Sequence, residues 1–277
     1  MDHPRRTAAF VYDFDGTLAV GNVPEHSFLP RLGVEPAEFW GRVKAAAREQ
    51  DADEILTYMA LMVRLAASKG EAVTRESLAE DGRSVPFFRG VPEWFDRMDR
   101  HAAELELHLE HYVVSSGIGE MIESCEIAPK FRRIFASCFM YDEQGRATWP
   151  GTAVNYTTKT QYLFRINKGI DNAWDNASIN RWIPEQDRPV PFSRMVFFGD
   201  GDTDVPSMKT VRNLGGHSIA VFDPAQWDAL TAQGKVHRLI AEDRVNFVAP
   251  ADFSESGQLD VLAKGVLGKI GRSSSTG

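Results

Sequence analysis

Short apolar runs alternate along this chain with longer amphipathic stretches. The runs at 8–12, 112–114, 195–198 and 218–222 are too short for helices and are apolar at successive positions. Such a run reads as a strand buried on both faces, as in a parallel sheet. A further strand is expected over 134–140, closed by a turn at Asp142-Glu143-Gln144-Gly145. Between the runs the period is helical. Ile55, Leu56, Met59, Met62, Val63 and Ala66 form one stripe of a helix that packs, and Lys69-Gly70 stops it. Phe39, Trp40, Val43 and Ala47 mark an earlier helix after Pro36, and Thr74 caps another over 74–80. Pro92 opens a helix bearing Trp94, Phe95, Met98 and Leu105, and Leu163 and Phe164 lie on one that stops at Gly169. The stretch 170–191 reads as an irregular connection. The tail beyond 222 reads as helical up to Gly271, with a disordered serine-rich end. The pattern predicts an α/β chain with a doubly wound parallel sheet. Residues 1–18 and 91–277 would build the core, and 19–90 a mainly helical module inserted after the first strand.

Polar residues gather where the apolar runs end. The first run stops at Asp13-Phe14-Asp15-Gly16-Thr17. Alternate side chains of an extended strand share a face, so Asp13 and Asp15 are expected in one small volume. Two like charges there are costly unless a cation or a shared proton relieves them. One carboxylate can serve as nucleophile and metal ligand, and a second, two residues on, as general acid and base. Gly16 would let the chain turn and Thr17 offers a hydroxyl, although Asp and Gly are also ordinary turn formers. The second run ends at Ser115-Ser116-Gly117, a hydroxyl before amides that open a helix; this is either an anion pocket or a plain loop and cap. Lys159 falls in the first turn of its helix, where a solvated lysine is the plain alternative. The run at 195–198 ends in Gly199-Asp200-Gly201-Asp202-Thr203-Asp204, carboxylates again among glycines at the ligand edge of a parallel sheet. Asp200 with Asp13 would supply the hard oxygen donors that Mg²⁺ takes. A calcium loop is excluded, because the position for its distal Glu is Val211. Asp204 is also placed to cap the helix before Pro206.

Composition narrows the functions. A hydrophobic fraction of 43% with 25% charged residues is that of an ordinary globular chain. A net charge of −8 without any Lys/Arg block argues against a nucleic-acid partner. Cys125 and Cys138 make no disulfide framework and lack metal-ligand spacing, so both are expected as free buried thiols. No apolar stretch reaches membrane-spanning length and 1–7 lacks a signal-peptide core, so no membrane partner and a cytoplasmic location are expected.

The motifs at Asp13-Phe14-Asp15-Gly16-Thr17, Ser115, Lys159, and Gly199-Asp200-Gly201 with Asp204 together resemble the four motifs of the haloacid-dehalogenase-like hydrolase superfamily, in its phosphoserine-phosphatase-like branch. The resemblance implies a doubly wound core with 19–90 as a mobile cap. It also implies a Mg²⁺-dependent phosphatase acting on a small phosphorylated metabolite. Asp13 would be the nucleophile that forms an aspartyl phosphate and Asp15 the acid and base. Thr17, Ser115, Ser116 and Lys159 would bind phosphate. Asp13, Asp200 and the Asp15 carbonyl would hold the metal, with Asp204 in support. A phosphomutase or phosphotransferase would keep the same residues, and a phosphometabolite sensor would need no acid at Asp15. The chain departs from phosphoserine phosphatases in carrying Asn22 and then Glu25 after the first motif, and Ser-Ser-Gly at 115–117, which counts against phosphoserine as substrate. Glu25, His26 and Arg31 are expected on a solvated surface.

Overall fold

The computed structural model describes residues 6–272. Among them, seven strands form one sheet: β1 (Arg6–Tyr12), β2 (Leu107–Ile118), β3 (Arg133–Tyr141), β4 (Ala147–Thr152), β5 (Met195–Gly199), β6 (His217–Phe222) and β7 (Phe247–Pro250). Their spatial order is β4-β3-β2-β1-β5-β6-β7, parallel throughout except that β4 runs antiparallel to β3. The apolar run of β1 is buried on both sides of the sheet as its sequence requires. Ala8, Phe10 and Tyr12 join one core, and Ala9 and Val11 the other.

Helices cover both faces. Between β1 and β2 come α1 (Phe28–Arg31), α2 (Pro36–Gln50), α3 (Glu54–Ser68), α4 (Arg75–Gly82) and α5 (Val91–Glu104). Thereafter come α6 (Gly119–Ile122), α7 (Thr158–Lys168), α8 (Asn176–Asn180), α9 (Val205–Asn213), α10 (Leu230–Ala241) and α11 (Gln258–Arg272). Trp94 and Phe95 of α5 and Leu259 and Leu267 of α11 bury against one face. Leu163 of α7, Met208 of α9 and Leu239 of α10 bury against the other. A buried ion pair, Arg97 Nε to Asp260 Oδ1 at 2.8 Å, ties α5 to α11. Under the sheet edge, Trp94 Nε1–H donates to the Tyr12 hydroxyl at 2.9 Å, and that hydroxyl lies 2.9 Å from His111 Nδ1. The chain is thus fixed just before Asp13.

α4 begins at Thr74 with the reciprocal Thr74/Ser77 capping box. In α3 the buried face is Ile55, Tyr58, Met59, Met62, Leu65 and Ala66, whereas Leu56 is exposed, so the stripe is turned from the expected one and includes Tyr58. The two connections to this helical segment run side by side. Val20 N–H donates to Pro86 O and Phe88 N–H to Leu18 O, beside a bridge between Ala19 and Phe87.

Five further sequence expectations are corrected. β2 has twelve residues instead of three, because Leu107 and Leu109 point inward in alternation with His108 and Glu110 before the continuous apolar run begins. β4 was not anticipated; Trp149-Pro150-Gly151 carries no strand pattern, and an edge strand paired on one side tolerates that. The tail is not wholly helical, since β7 interrupts it with four residues at the opposite edge. The 170–191 connection contains the short helix α8. Both cysteines are free, but only Cys125 is buried, Cys138 being half-buried. The serine-rich end lies outside the described residues.

Candidate active site

The strand order reverses on either side of β1, and the polar motifs collect at the carboxyl ends of β1, β2 and β5 around that switch point. Asp13 follows β1 directly, and its N–H donates to Phe198 O at 2.8 Å, extending the β1–β5 ladder by one bond. Its Oδ1 accepts from Phe14 N–H at 2.8 Å, and its Oδ2 lies 3.0 Å from Lys159 Nζ. The chain then turns tightly: the N–H groups of Thr17, Leu18 and Ala19 all point at Phe14 O. Gly16 has φ +72°, and a Cβ there would stand 2.8 Å from the Asp200 carboxyl, so both the turn and the close approach require glycine.

Asp15, half-buried, comes after the turn begins and not on the strand, yet it faces the same cavity as Asp13. Its Oδ1 accepts from Val23 N–H at 3.0 Å. Burial, and next the charge of Asp13, push its carboxyl up to about 8, so it holds a proton at neutral pH. Gly117 allows β2 to pass close by; a Cβ there would be 2.9 Å from Asp15 Oδ2. Ser115 is buried and its hydroxyl accepts from Gly117 N–H at 3.1 Å. The hydroxyls of Thr17 and Ser116 are buried with no hydrogen-bond partner among the described residues. Such groups are costly unless something accepts from them. An anion beside Asp13 would.

Lys159 is fully buried in the first turn of α7 and is not solvated. Its ammonium bridges Asp13 Oδ2 at 3.0 Å and Asp204 Oδ1 at 2.6 Å. Burial alone would lower its pKa, but the two carboxylates outweigh burial and hold it above the usual lysine value. Asp204 is the residue before α9, yet its side chain makes no cap bond to that helix. Its two oxygens take Lys159 and the Gly201 N–H, the latter at 3.0 Å, so it positions the lysine. Burial and then the charge of Asp13 raise its pKa, against the pull of Lys159.

Carboxylate oxygens of Asp13, Asp200 and Asp204 all lie within 4.8 Å of one another. This set of hard oxygen donors fits a divalent cation such as Mg²⁺. Asp204 is fully buried and does not line the cavity, whereas Asp13 and Asp200 do, so these two are the donors that face it. Burial raises the pKa of Asp200, and Lys235 of α10, 3.3 Å from its Oδ2, opposes the rise.

All eight residues singled out in the sequence therefore gather at one sheet edge, with Asp13, Asp15, Ser115, Ser116 and Asp200 lining a cavity of about 670 Å³. Glu25, His26 and Arg31 do not line it. Glu25 accepts from Asn22 and Trp40, His26 Nε2 lies 2.5 Å from Val20 O, and Arg31 pairs with Glu71 and Asp81. The cavity also recruits residues the sequence reading passed over: Trp40, Lys44 and Tyr58 from the helical segment and Lys235 from α10. Tyr58 was legible, three residues after Ile55 on the same helix face. Lys235 carried no signal.

Comparisons with known proteins agree with this geometry. The family model described as haloacid dehalogenase-like hydrolase matches residues 10–209. An uncharacterized protein from Borreliella burgdorferi is 24% identical over 283 residues, covering 94% of this chain and 96% of its own. Among solved structures, a HAD family hydrolase from Salmonella enterica subsp. enterica serovar Typhi superposes with a TM-score of 0.59 at 11% identity, over 96% of this chain and 72% of that one. A phosphoserine phosphatase, solved as a phospho-aspartyl intermediate analogue, gives 0.53 at 17% identity, over 93% and 98%. At these identities the structural likeness is one of fold.

Proposed function

The chain belongs to the haloacid dehalogenase-like hydrolases, and on that footing we propose that it is a Mg²⁺-dependent phosphatase of a small phosphorylated metabolite. One observation carries this reading: two neighbouring aspartates stand in opposite environments. Asp13 is ion-paired with Lys159 at 3.0 Å, whereas Asp15, facing the same cavity, accepts from Val23 N–H and has its carboxyl pushed up to about 8 by burial and the charge of Asp13. Two carboxyls on one cavity, one beside a cation and one raised by burial, are placed to supply a nucleophile and an acid. A sensor that only bound phosphate would need no such acid.

In this mechanism Asp13 Oδ attacks phosphorus in line, and the bond to the leaving oxygen breaks as Asp15 gives that oxygen its proton. The aspartyl phosphate on Asp13 is then opened by water, whose proton returns to Asp15. Thr17, Ser115, Ser116 and Lys159 hold the phosphoryl oxygens, and the unpartnered hydroxyls of Thr17 and Ser116 support that role. Asp204 keeps Lys159 in place. Asp13 and Asp200, with the Asp15 carbonyl, would hold Mg²⁺, which when bound would neutralise charge on the transferring group. Residues 19–90 act as a cap over the core 1–18 and 91–277. Two bonds across that boundary support this: Tyr58 OH to Ser116 O at 2.8 Å, and Asn155 Nδ2 to Asp53 Oδ2.

The test is phosphate release from an aryl phosphate and a metabolite panel, with Mg²⁺ or EDTA, by the wild type and Asp13→Asn. Metal-dependent release that the substitution abolishes supports the reading. A folded, Mg²⁺-loaded protein that releases no phosphate from any ester overturns it, and label found in an organic acceptor instead of inorganic phosphate would turn it into a phosphotransferase.

A further inference from the structure

The cavity above Asp13 has two unlike walls. One is the carboxylate edge of the sheet. The other belongs to the helical segment and is mainly apolar, with Pro24, Trp40, Ile55, Tyr58 and Phe88 beside Asn22, Lys44 and Glu54. The Trp40 and Tyr58 rings meet at a corner, with centroids 5.6 Å apart and planes 65° apart. Their polar ends are already used. Trp40 Nε1–H donates to Glu25 Oε1 at 2.5 Å, and Tyr58 OH donates to Ser116 O at 2.8 Å. Those bonds hold both rings in place and leave the ligand only their carbon surfaces. A small polar leaving group such as that of phosphoserine would bring a charged amine and a carboxylate against two ring faces, and Lys44 and Glu54 are the charged groups of this wall. The volume of about 670 Å³ is also well within the range, about 300–1,000 Å³, of cavities that enclose a drug-sized ligand.

From this wall we infer that the leaving group carries a flat apolar ring seated on Trp40 and Tyr58, so that the chain acts on ring-bearing phosphomonoesters in preference to phosphoserine-like ones. The inference rests on the phosphatase reading and adds the substrate class. Aromatic corners also attract quaternary ammonium groups. Lys44, one turn beyond Trp40 on α2 and lining the same cavity, sets a positive charge beside the rings and disfavours a cation. Glu54 offsets part of that charge, so a cationic ester enters the test as the competitor.

The experiment compares benzyl phosphate, O-phosphoserine and phosphocholine on the Mg²⁺-loaded enzyme. All three leave as alkoxides, so each needs the proton of Asp15. The expected result is a kcat/KM for benzyl phosphate about tenfold or more above both others, with the difference in KM. Trp40→Leu should collapse that ratio, and Trp40→Phe should keep most of it. Calorimetric binding of benzylphosphonate against methylphosphonate reads the same preference without turnover. Turnover with no preference for the benzyl ester, a preference for phosphocholine, or a ratio indifferent to Trp40→Leu would overturn the inference while leaving the phosphatase reading intact. Tighter binding of benzylphosphonate without turnover of any ester would keep the ring site and overturn the phosphatase reading.

Discussion

The sheet edge and the helical roof above it meet in one cavity but are held by different means. At the edge, Asp13, Lys159, Asp204 and Ser115 are buried, and strand ladders or a continuous polar network position them. The helical segment meets the core through side chains, Tyr58 on Ser116 and Asn155 on Asp53, through Ala147 N–H donating to Val73 O at 2.8 Å beside a Thr74–Arg146 bridge, and through two adjacent connections. On the phosphatase reading proposed above, the reacting groups sit on the ladder-held edge and the contacts that select a substrate on the helical segment.

The largest effect should come from the edge. Asp13→Asn removes the nucleophile, and kcat for phosphate release should fall by about 10,000-fold or more with the thermal midpoint little changed. Lys159→Met leaves two buried carboxylates without their cation. It should cost about 3–5 kcal/mol in urea unfolding and about 100- to 1,000-fold in kcat. Gly16→Ala forces a Cβ against the Asp200 carboxyl at a positive φ, so Mg²⁺ affinity measured by calorimetry should weaken about 10- to 100-fold. The pH profile tests Asp15 directly. The acid works protonated, so kcat/KM should be level below its pKa and fall about tenfold per pH unit above it. That limb should lie at or below about 8, because a divalent cation beside the carboxyl lowers its pKa. A rate that rises through that range would remove Asp15 as the acid. The smallest effect belongs to the roof: Tyr58→Phe deletes one hydrogen bond to Ser116 and should raise KM about threefold with kcat unchanged. A kcat loss as large as that of Lys159→Met would erase the distinction between the two regions.

How far each region was legible follows from the same difference. The buried strands announced themselves because a strand covered on both faces is apolar at every position, and the carboxylates stood out because they end those runs. Edge strands had no such signature. β4 contains Pro150 and Gly151, β7 is four residues long, and each is paired on one side only. Local pattern offers Asp204 as a cap and the family resemblance as a support of the site; in the structure it makes no cap bond to α9 and takes Lys159, 45 residues away.

The amino-acid sequence alone determined the sheet class, a helical stretch between the first two strands, and Asp13, Asp15 and Asp200 as the polar residues that stand where the buried strands end. These follow from local periodicity and from polar residues standing where apolar runs stop. Only the tertiary structure decided that Asp15 is raised by burial and the charge of Asp13, that Lys159 lies fully buried between two carboxylates, and that Trp40, Tyr58 and Lys235 face the same cavity. Burial and charge–charge distance depend on residues far apart along the chain, and no local pattern encodes them.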